Sequence, residues 1–327
     1  MSIKTLNWGL LSTANINKAL ITPLRASKRN HLLAVASRSQ ASADAYAREW
    51  KIPRAHGSYE ALLADPEIDV IYNPLPNHLH AKWAIKAVAA GKHVLCEKPL
   101  ALTLDEVDAI ADAAQKYGRV VAEAFMYRHH PQTLKVQELV QSGSLGTLKL
   151  LRGSFSFKLN REGDIRLDPT MGGGSIWDVG CYPISYMRTV VGAEPLEVFG
   201  WQVTGPTGID DTFVGQLHFN EDVYAQFDSS FVIPLHAYME FVGSDATLII
   251  PQPFKPGENE KIFLVRDGKT EAVKVKGQEL YLGEVEDMAD AILLGGTPRI
   301  SLDDSRANVA VILALLESAQ KNSPVKI

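Results

Sequence analysis

Cysteine is scarce: Cys96 and Cys181 are the only two in 327 residues. Two thiols cannot build a disulfide framework or a thiolate metal site, which fits a reducing, cytoplasmic setting. Basic charge is not in excess either. Lys and Arg number 33 against 38 Asp and Glu, leaving −5, so there is no positive field to settle on nucleic acid or an anionic membrane. No apolar run reaches the roughly 18 residues of a spanning helix. The stretch Met1–Thr5 lacks the basic segment and apolar run of an export signal. With 46% hydrophobic and 22% charged residues, disordered and fibrous classes are excluded. What remains is a soluble globular chain too long for one hydrophobic core, so two domains are expected.

From Thr5 to Glu123, short apolar runs alternate with amphipathic stretches. Leu6–Leu11, Leu32–Ser37, Val70–Tyr72, His93–Cys96 and Val120–Ala122 have the nearly uninterrupted apolar character of buried parallel strands. Helical stripes lie between them. The first (Ile16, Ala19, Leu20, Leu24) is expected to break at Pro23. The clearest runs through Val107, Ile110, Ala111 and Ala114, opened by Thr103 with Glu106 as a capping box and stopped by Gly118. This spacing predicts a Rossmann-like doubly wound parallel sheet over residues 1–123, with ligands at the strands' carboxyl ends. After a Pro-started helix near Pro131–Gln141, strands dominate: Leu148–Phe157, Val198–Val203, Thr212–Phe219, Tyr224–Ile233, Thr247–Ile250 and Ile262–Val265. Period-two alternation in these runs predicts a large open, mostly antiparallel sheet in an α+β domain over 124–327. Two long helices are expected there, one after Ser175 and one near the end; Pro251–Gly257 has the composition of a hairpin loop.

A dinucleotide turn would follow the first strand. In Gly9-Leu10-Leu11-Ser12-Thr13-Ala14-Asn15-Ile16-Asn17 the three glycine positions of G-x-G-x-x-G hold Ser12, Ala14 and Asn17, so the fingerprint fails literally. Small residues keep the backbone approachable, and Ser12, Thr13, Ala14, Asn15 and Ile16 are candidates for the pyrophosphate; an ordinary βα turn is the alternative. After the second strand, Ser37-Arg38-Ser39 stands where NAD enzymes carry a carboxylate for the ribose. An arginine with two hydroxyls suits a 2′-phosphate, pointing to NADP(H) with NAD(H) the weaker possibility; a solvated loop arginine is the other reading. Leu75, Asn77 and His80 after the fourth strand, and Glu97 and Lys98 after the fifth, complete the candidate cofactor set. His78 and His80 have no third ligand at suitable spacing, so no metal is expected. The two cysteines are taken as packing residues.

Pro76-Asn77 followed by His80, the run Ala90-Gly91-Lys92-His93-Val94-Leu95-Cys96-Glu97-Lys98-Pro99-Leu100-Ala101, and a later Asp178-x-Gly180-x-Tyr182 together resemble the glucose–fructose oxidoreductase/inositol dehydrogenase (Gfo/Idh/MocA) family, over essentially the whole chain. The resemblance implies an N-terminal Rossmann domain for NAD(P) and a C-terminal open-sheet domain for substrate and oligomer contacts. It also implies that Lys98 contacts the substrate hydroxyl and the cofactor. Asp178 and Tyr182, four apart, are expected on one helical face. Where inositol-dehydrogenase-like members place Asp and His, this chain has Asp and Tyr, as in the dimeric dihydrodiol dehydrogenase and NADP-dependent D-xylose dehydrogenase branch. Glu123-Ala124-Phe125-Met126-Tyr127-Arg128 points the same way.

Oxidising a carbinol sends a hydride to the nicotinamide and a proton to a base. A tyrosine is too weak a base unless a neighbouring ammonium favours its phenolate. Tyr182 is therefore assigned as proton carrier and Lys98 as its partner, with the reverse assignment open and an interface aromatic as the alternative for Tyr182. Asp178, Arg128 and Trp177 are substrate-binding candidates; Arg128 could equally pair with a surface carboxylate, and Trp177 could be core. The expected activity is NADP(H)-dependent oxidation of a sugar or polyol, most plausibly an aldose at C1. Alternatives are a keto- or anhydro-sugar reductase, a trans-dihydrodiol dehydrogenase, an NAD-dependent glycosidase and a non-catalytic NADP-sensing module. The expected partners are a small-molecule substrate and a second copy of the chain, as a homodimer or homotetramer through the open sheet face; nucleic acid and membrane are not expected.

Overall fold

The computed structural model of the chain describes residues 5–327 except 162, 221 and 222. Strands and helices alternate through the first part. They run β1 (Leu6–Leu10), α1 (Asn17–Ala26), β2 (Asn30–Ala36), α2 (Gln40–Trp50), β3 (Arg54–His56) and α3 (Tyr59–Ala64). Then come β4 (Val70–Asn73), α4 (His80–Ala89), β5 (His93–Glu97), α5 (Leu104–Tyr117) and β6 (Val121–Ala124). The second part opens with α6 (Pro131–Gln141), β7 (Leu148–Ser156) and α7 (Cys181–Val191). It continues through β8 (Glu197–Thr204), β9 (Asp210–His218), β10 (Tyr224–Ser230), β11 (His236–Gly243), β12 (Thr247–Ile250), β13 (Asn259–Arg266) and β14 (Lys269–Lys276). Last are α8 (Leu282–Leu294), α9 (Leu302–Lys321) and β15 (Val325–Lys326).

Two compact units result. The first comprises residues up to Met126 together with Tyr281–Arg306; the second comprises Tyr127–Leu280 and Ala307–Ile327. The expected contiguous division at 123/124 differs from this by one return of the chain. The reason is packing. Val285, Met288 and Ala289 of α8 are buried in the same core as Trp8, Leu10, Leu20, Ile21, Leu24, Val35 and Tyr72, so α8 is a cover of the first sheet although it lies late in the sequence.

In the first unit six parallel strands run in the order β3-β2-β1-β4-β5-β6. The order reverses between β1 and β4, so a crevice opens outside their carboxyl ends, the position at which doubly wound sheets bind ligands. α5 starts as its sequence predicts: the Thr103 hydroxyl accepts from the Glu106 N–H at 3.2 Å, and Glu106 reaches back to the Leu102 N–H at 3.1 Å. α1 departs from expectation. It continues through Pro23 to Ala26, because the burial of Leu20, Ile21 and Leu24 on one stripe outweighs the single backbone bond that proline cannot make.

In the second unit nine strands form one sheet, β14-β13-β12-β11-β7-β10-β9-β8-β15. All neighbours are antiparallel except β7 and β10. One face carries the buried residues Phe213, Leu217, Phe227, Met239 and Phe241, while Trp201, Val203, Val214 and Tyr224 of β8–β10 are exposed on the other. Residues 251–258 join β12 to β13 as the expected hairpin loop. Four strands and two helices escape the sequence reading, the two-residue β15 among them. β3 is three half-buried residues, β14 is a lysine-bearing edge of the kind that resists further pairing, and β11 follows a loop without breaking its apolar run. α3 and α8 are short or late amphipathic segments. Replacing Met288 with Ala is expected to cost about 2–5 kcal/mol by leaving a cavity under α8; denaturant melts of the two proteins measure it, and an unchanged midpoint would remove α8 from that core.

Candidate active site

The turn after β1 is built from backbone. Ser12 holds φ 151°, a value that glycine adopts more readily, at the first glycine position of the failed fingerprint. Its hydroxyl accepts from the Ala14 N–H at 3.1 Å, and the buried Asn17 amide donates to the Ser12 carbonyl at 2.7 Å. Asn17 thus closes the turn from the third glycine position by a side-chain bond. Among the described residues, the N–H groups of Thr13, Asn15 and Ile16 make no hydrogen bond. Donors in that state ahead of a helix form an anion cradle, and a pyrophosphate fits it.

At the end of β2, Ser37 is buried with its N–H on the His56 carbonyl. Arg38 is exposed, with no ion pair among the described residues. Ser39 is spent differently from the expectation: its hydroxyl caps α2 by accepting from the Ser42 N–H. The 2′-phosphate assignment therefore rests on Arg38 and Ser37.

The segment carrying Lys98 is braced from two strands, β4 and β6, and from the start of α4. His80 is fully buried; its Nδ1 lies 2.7 Å from the Pro99 carbonyl and its Nε2 2.6 Å from the Leu75 carbonyl. This corrects its assignment as a cofactor contact, because both ring nitrogens are taken by main chain. It also takes His80 out of any metal site. Glu123, buried at the end of β6, accepts the Leu100 N–H at 2.8 Å. The Tyr72 hydroxyl donates to Glu97 at 2.5 Å, and burial, reinforced by the Glu97 charge, holds the Tyr72 phenol far above its ordinary value. Leu75 is buried, and Asn77 lies half-buried on a 3₁₀ turn leading into α4.

In the second unit, Ile176–Gly180 forms a π-helical turn ahead of α7; the Cys181 N–H reaches back to the Ile176 carbonyl. Asp178 lies on this wider turn and Tyr182 in the first turn of α7, so their spacing of four spans a junction and not a regular α-helix. Tyr182 is buried. Its ring packs against Tyr127, Phe155 and Phe254 at centroid distances of 5.6, 5.2 and 5.5 Å. Tyr127 donates to the Tyr182 carbonyl at 3.2 Å, while its own phenol and that of Tyr186 are pushed well up by burial. Asp178 is not presented alone: Arg166 Nε donates to its carboxylate at 2.7 Å. Arg128 is buried and donates to Ser185 at 3.0 Å, so it is no surface arginine, and Trp177 is buried too.

The glycine run ahead of the π turn is closely packed. A Cβ on Gly173 would come within 2.5 Å of the Arg166 carbonyl, and one on Gly174, at φ +126°, within 2.2 Å of Asp210. Asp210 accepts from the Ser175 hydroxyl at 2.7 Å and the Ile176 N–H at 2.8 Å, and burial raises its carboxyl to about 6.

The model of the Gfo/Idh/MocA oxidoreductase family, an NAD-binding Rossmann fold, matches residues 6–125, and that family's C-terminal domain matches 133–249. D-xylose 1-dehydrogenase (NADP(+)) 2 from Haloferax volcanii is 38% identical over 324 residues, covering 98% of this chain and 99% of that protein. The chain belongs to the Gfo/Idh/MocA family. Trans-1,2-dihydrobenzene-1,2-diol dehydrogenase from Danio rerio is 33% identical over 250 residues, 75% of this chain and 74% of the relative. Among solved structures, KijD10, a 3-ketoreductase from Actinomadura kijaniata in complex with NADP and TDP-benzene, superposes with a TM-score of 0.91 at 27% identity, over 96% of this chain and 98% of that one.

Four residues of this Gfo/Idh/MocA chain went unnoticed in the sequence: Tyr72, Glu123, Arg166 and Asp210. Glu123 stood inside a quoted motif without a role, and the other three carry no local signal. The His80 brace has a measurable consequence. Burial pulls its pKa from 6.5 to about 4, so the fold favours the neutral ring. Stability present above pH 6.5 is lost as pH falls through 4, by about 3 kcal/mol. The stability gap between wild type and His80→Gln should shrink by that amount from pH 7 to pH 4 in urea melts; a gap independent of pH would contradict the buried neutral imidazole.

Proposed function

We propose that the protein is an NADP(H)-dependent dehydrogenase of sugar or polyol carbinols, with an aldose oxidised at C1 as its reaction. The observation that carries this is the braced Lys98 segment: His80, Glu123 and Tyr72 clamp the residues on either side of it, the arrangement wanted where an ammonium must meet a reacting oxygen with little ordering left to do. NADP⁺, when bound, supplies the hydride acceptor. Ser12, Thr13, Ala14, Asn15 and Ile16 would hold its pyrophosphate, Ser37 and Arg38 its 2′-phosphate, and Leu75, Asn77, Glu97 and Lys98 its nicotinamide half. We assign Lys98 as the donor to the carbinol oxygen and Tyr182 as the group that takes the proton. Asp178 and Trp177 bind the rest of the substrate.

The Haloferax volcanii relative, whose name gives D-xylose and NADP(+), supports this reading, and the absence of an ion pair on Arg38 agrees with it. The same atoms run backwards would reduce a keto-sugar, as the 3-ketoreductase likeness suggests. The exposed Trp201, Val203, Val214 and Tyr224 suit burial against a second copy as a homodimer. The cytoplasm is the setting we infer, where the buried free thiols Cys96 and Cys181 stay reduced.

Two substitution sets test the assignment. Tyr182→Phe and Lys98→Ala should each lower kcat for aldose oxidation by about 10² or more, Tyr182→Phe with cofactor affinity kept; near-normal turnover in either would withdraw its role. Arg38→Asp should shift kcat/KM from NADP⁺ toward NAD⁺ by about tenfold or more, as loss of a charge-assisted phosphate bond does. Retained NADP⁺ preference would end the 2′-phosphate assignment.

A further inference from the structure

Arg166 sits on the short 3₁₀ turn Ile165–Leu167 of the second unit and is anchored at both ends. Its carbonyl accepts from the Gly174 N–H at 3.0 Å. Its guanidinium is held by two carboxylates: Nε donates to Asp178 at 2.7 Å and Nη1 to Asp164 at 3.2 Å. The charge of Asp178, above all, raises the guanidinium further above its ordinary value. The remaining amino group, Nη2, makes no hydrogen bond among the described residues, and the side chain is 40% exposed. A fixed donor therefore stands open to solvent beside a fixed acceptor.

Charge decides what such a pair can take. Arg161 also pairs with Asp164, so two guanidiniums and two carboxylates leave the cluster without net charge, which suits a neutral group better than a phosphate or carboxylate. A hydroxyl both donates and accepts, so adjacent hydroxyls match an arginine amino group next to a carboxylate, whose two oxygens accept several bonds each. We propose that Arg166 and Asp178 together read two neighbouring hydroxyls of the substrate, Nη2 donating to the one at C2, beside the carbon oxidised, and the carboxylate accepting from the next, so that Arg166 determines specificity. This rests on the dehydrogenase reading above and names which part of a sugar is recognised.

Arg166→Lys and Arg166→Ala separate the possibilities. The lysine keeps a positive charge for Asp178 but loses the second arm of the fork. Steady-state kinetics with the best aldose and its 2-deoxy analogue, alongside Tm and NADP⁺ affinity, give the readout. In both variants KM for the parent aldose should rise about tenfold or more, kcat should stay within about threefold, and KM for the 2-deoxy sugar should not move. Arg166→Lys should keep its Tm and NADP⁺ affinity, so it carries the test even if Arg166→Ala folds poorly. Unchanged discrimination between the two sugars in Arg166→Lys, with an active wild type, overturns this inference alone. A wild type inactive on every aldose, polyol and dihydrodiol overturns the assigned activity, and this inference with it.

Discussion

One buried imidazole holds together the loops on which the proposed chemistry depends. The His80 ring lies between the carbonyls of Leu75 and Pro99 and, carrying one N–H when neutral, donates to one of them, packing the loop after β4 against the loop after β5. Burying a histidine costs free energy that such a bond helps to offset. What the fold gains is a lysine whose flanking backbone has lost its freedom before any substrate arrives. Glu123 adds a restraint at Leu100, and Tyr72 another at Glu97. Contacts at Glu97, Pro99 and Leu100 thus fall on either side of Lys98, and their convergence there is what prepares the site.

The second unit prepares its residues by a different device. The main chain of the 166–168 turn is pressed onto Gly173, which has no room for a side chain, and Asp210 anchors the start of the π turn. The raised carboxyl of Asp210 shows what this costs. Its stabilising share is complete below pH 3.8 and fades as pH rises through about 6, the opposite slope to that of His80. Tyr182 is then set in a shell of aromatic rings that shields it from water while other phenols of the shell stay protonated. A chain that devotes this much buried polarity to two short segments places rigid groups there rather than mobile ones.

Much of this was legible in the residues because its causes are local. Apolar runs marked the five longer parallel strands, Thr103 and Glu106 marked the start of α5, and Glu97-Lys98-Pro99 stood out as a charged pair at a buried strand end. Other features have causes distant in sequence. Arg166 meets Asp178 twelve residues on, and Asp210 caps a turn thirty-four residues before it; no periodicity announces either. His80 was noticed for the wrong reason, since a histidine's tautomeric partners are decided by tertiary packing. Gly173 and Gly174 serve close approach to a carbonyl and a carboxylate, and α8 joins a core whose strands lie some two hundred residues earlier. Propensity and pattern describe segments; the site is made of encounters between them.

The central claim is that this chain removes a hydride from a sugar carbinol. Incubation with NADP⁺ and D-xylose deuterated at C1, followed by NMR of the reduced cofactor, tests it most directly. The account predicts deuterium at C4 of the nicotinamide and a slowed rate relative to the unlabelled sugar. Reduced cofactor without deuterium, or no reduction with any C1-labelled aldose, would contradict it.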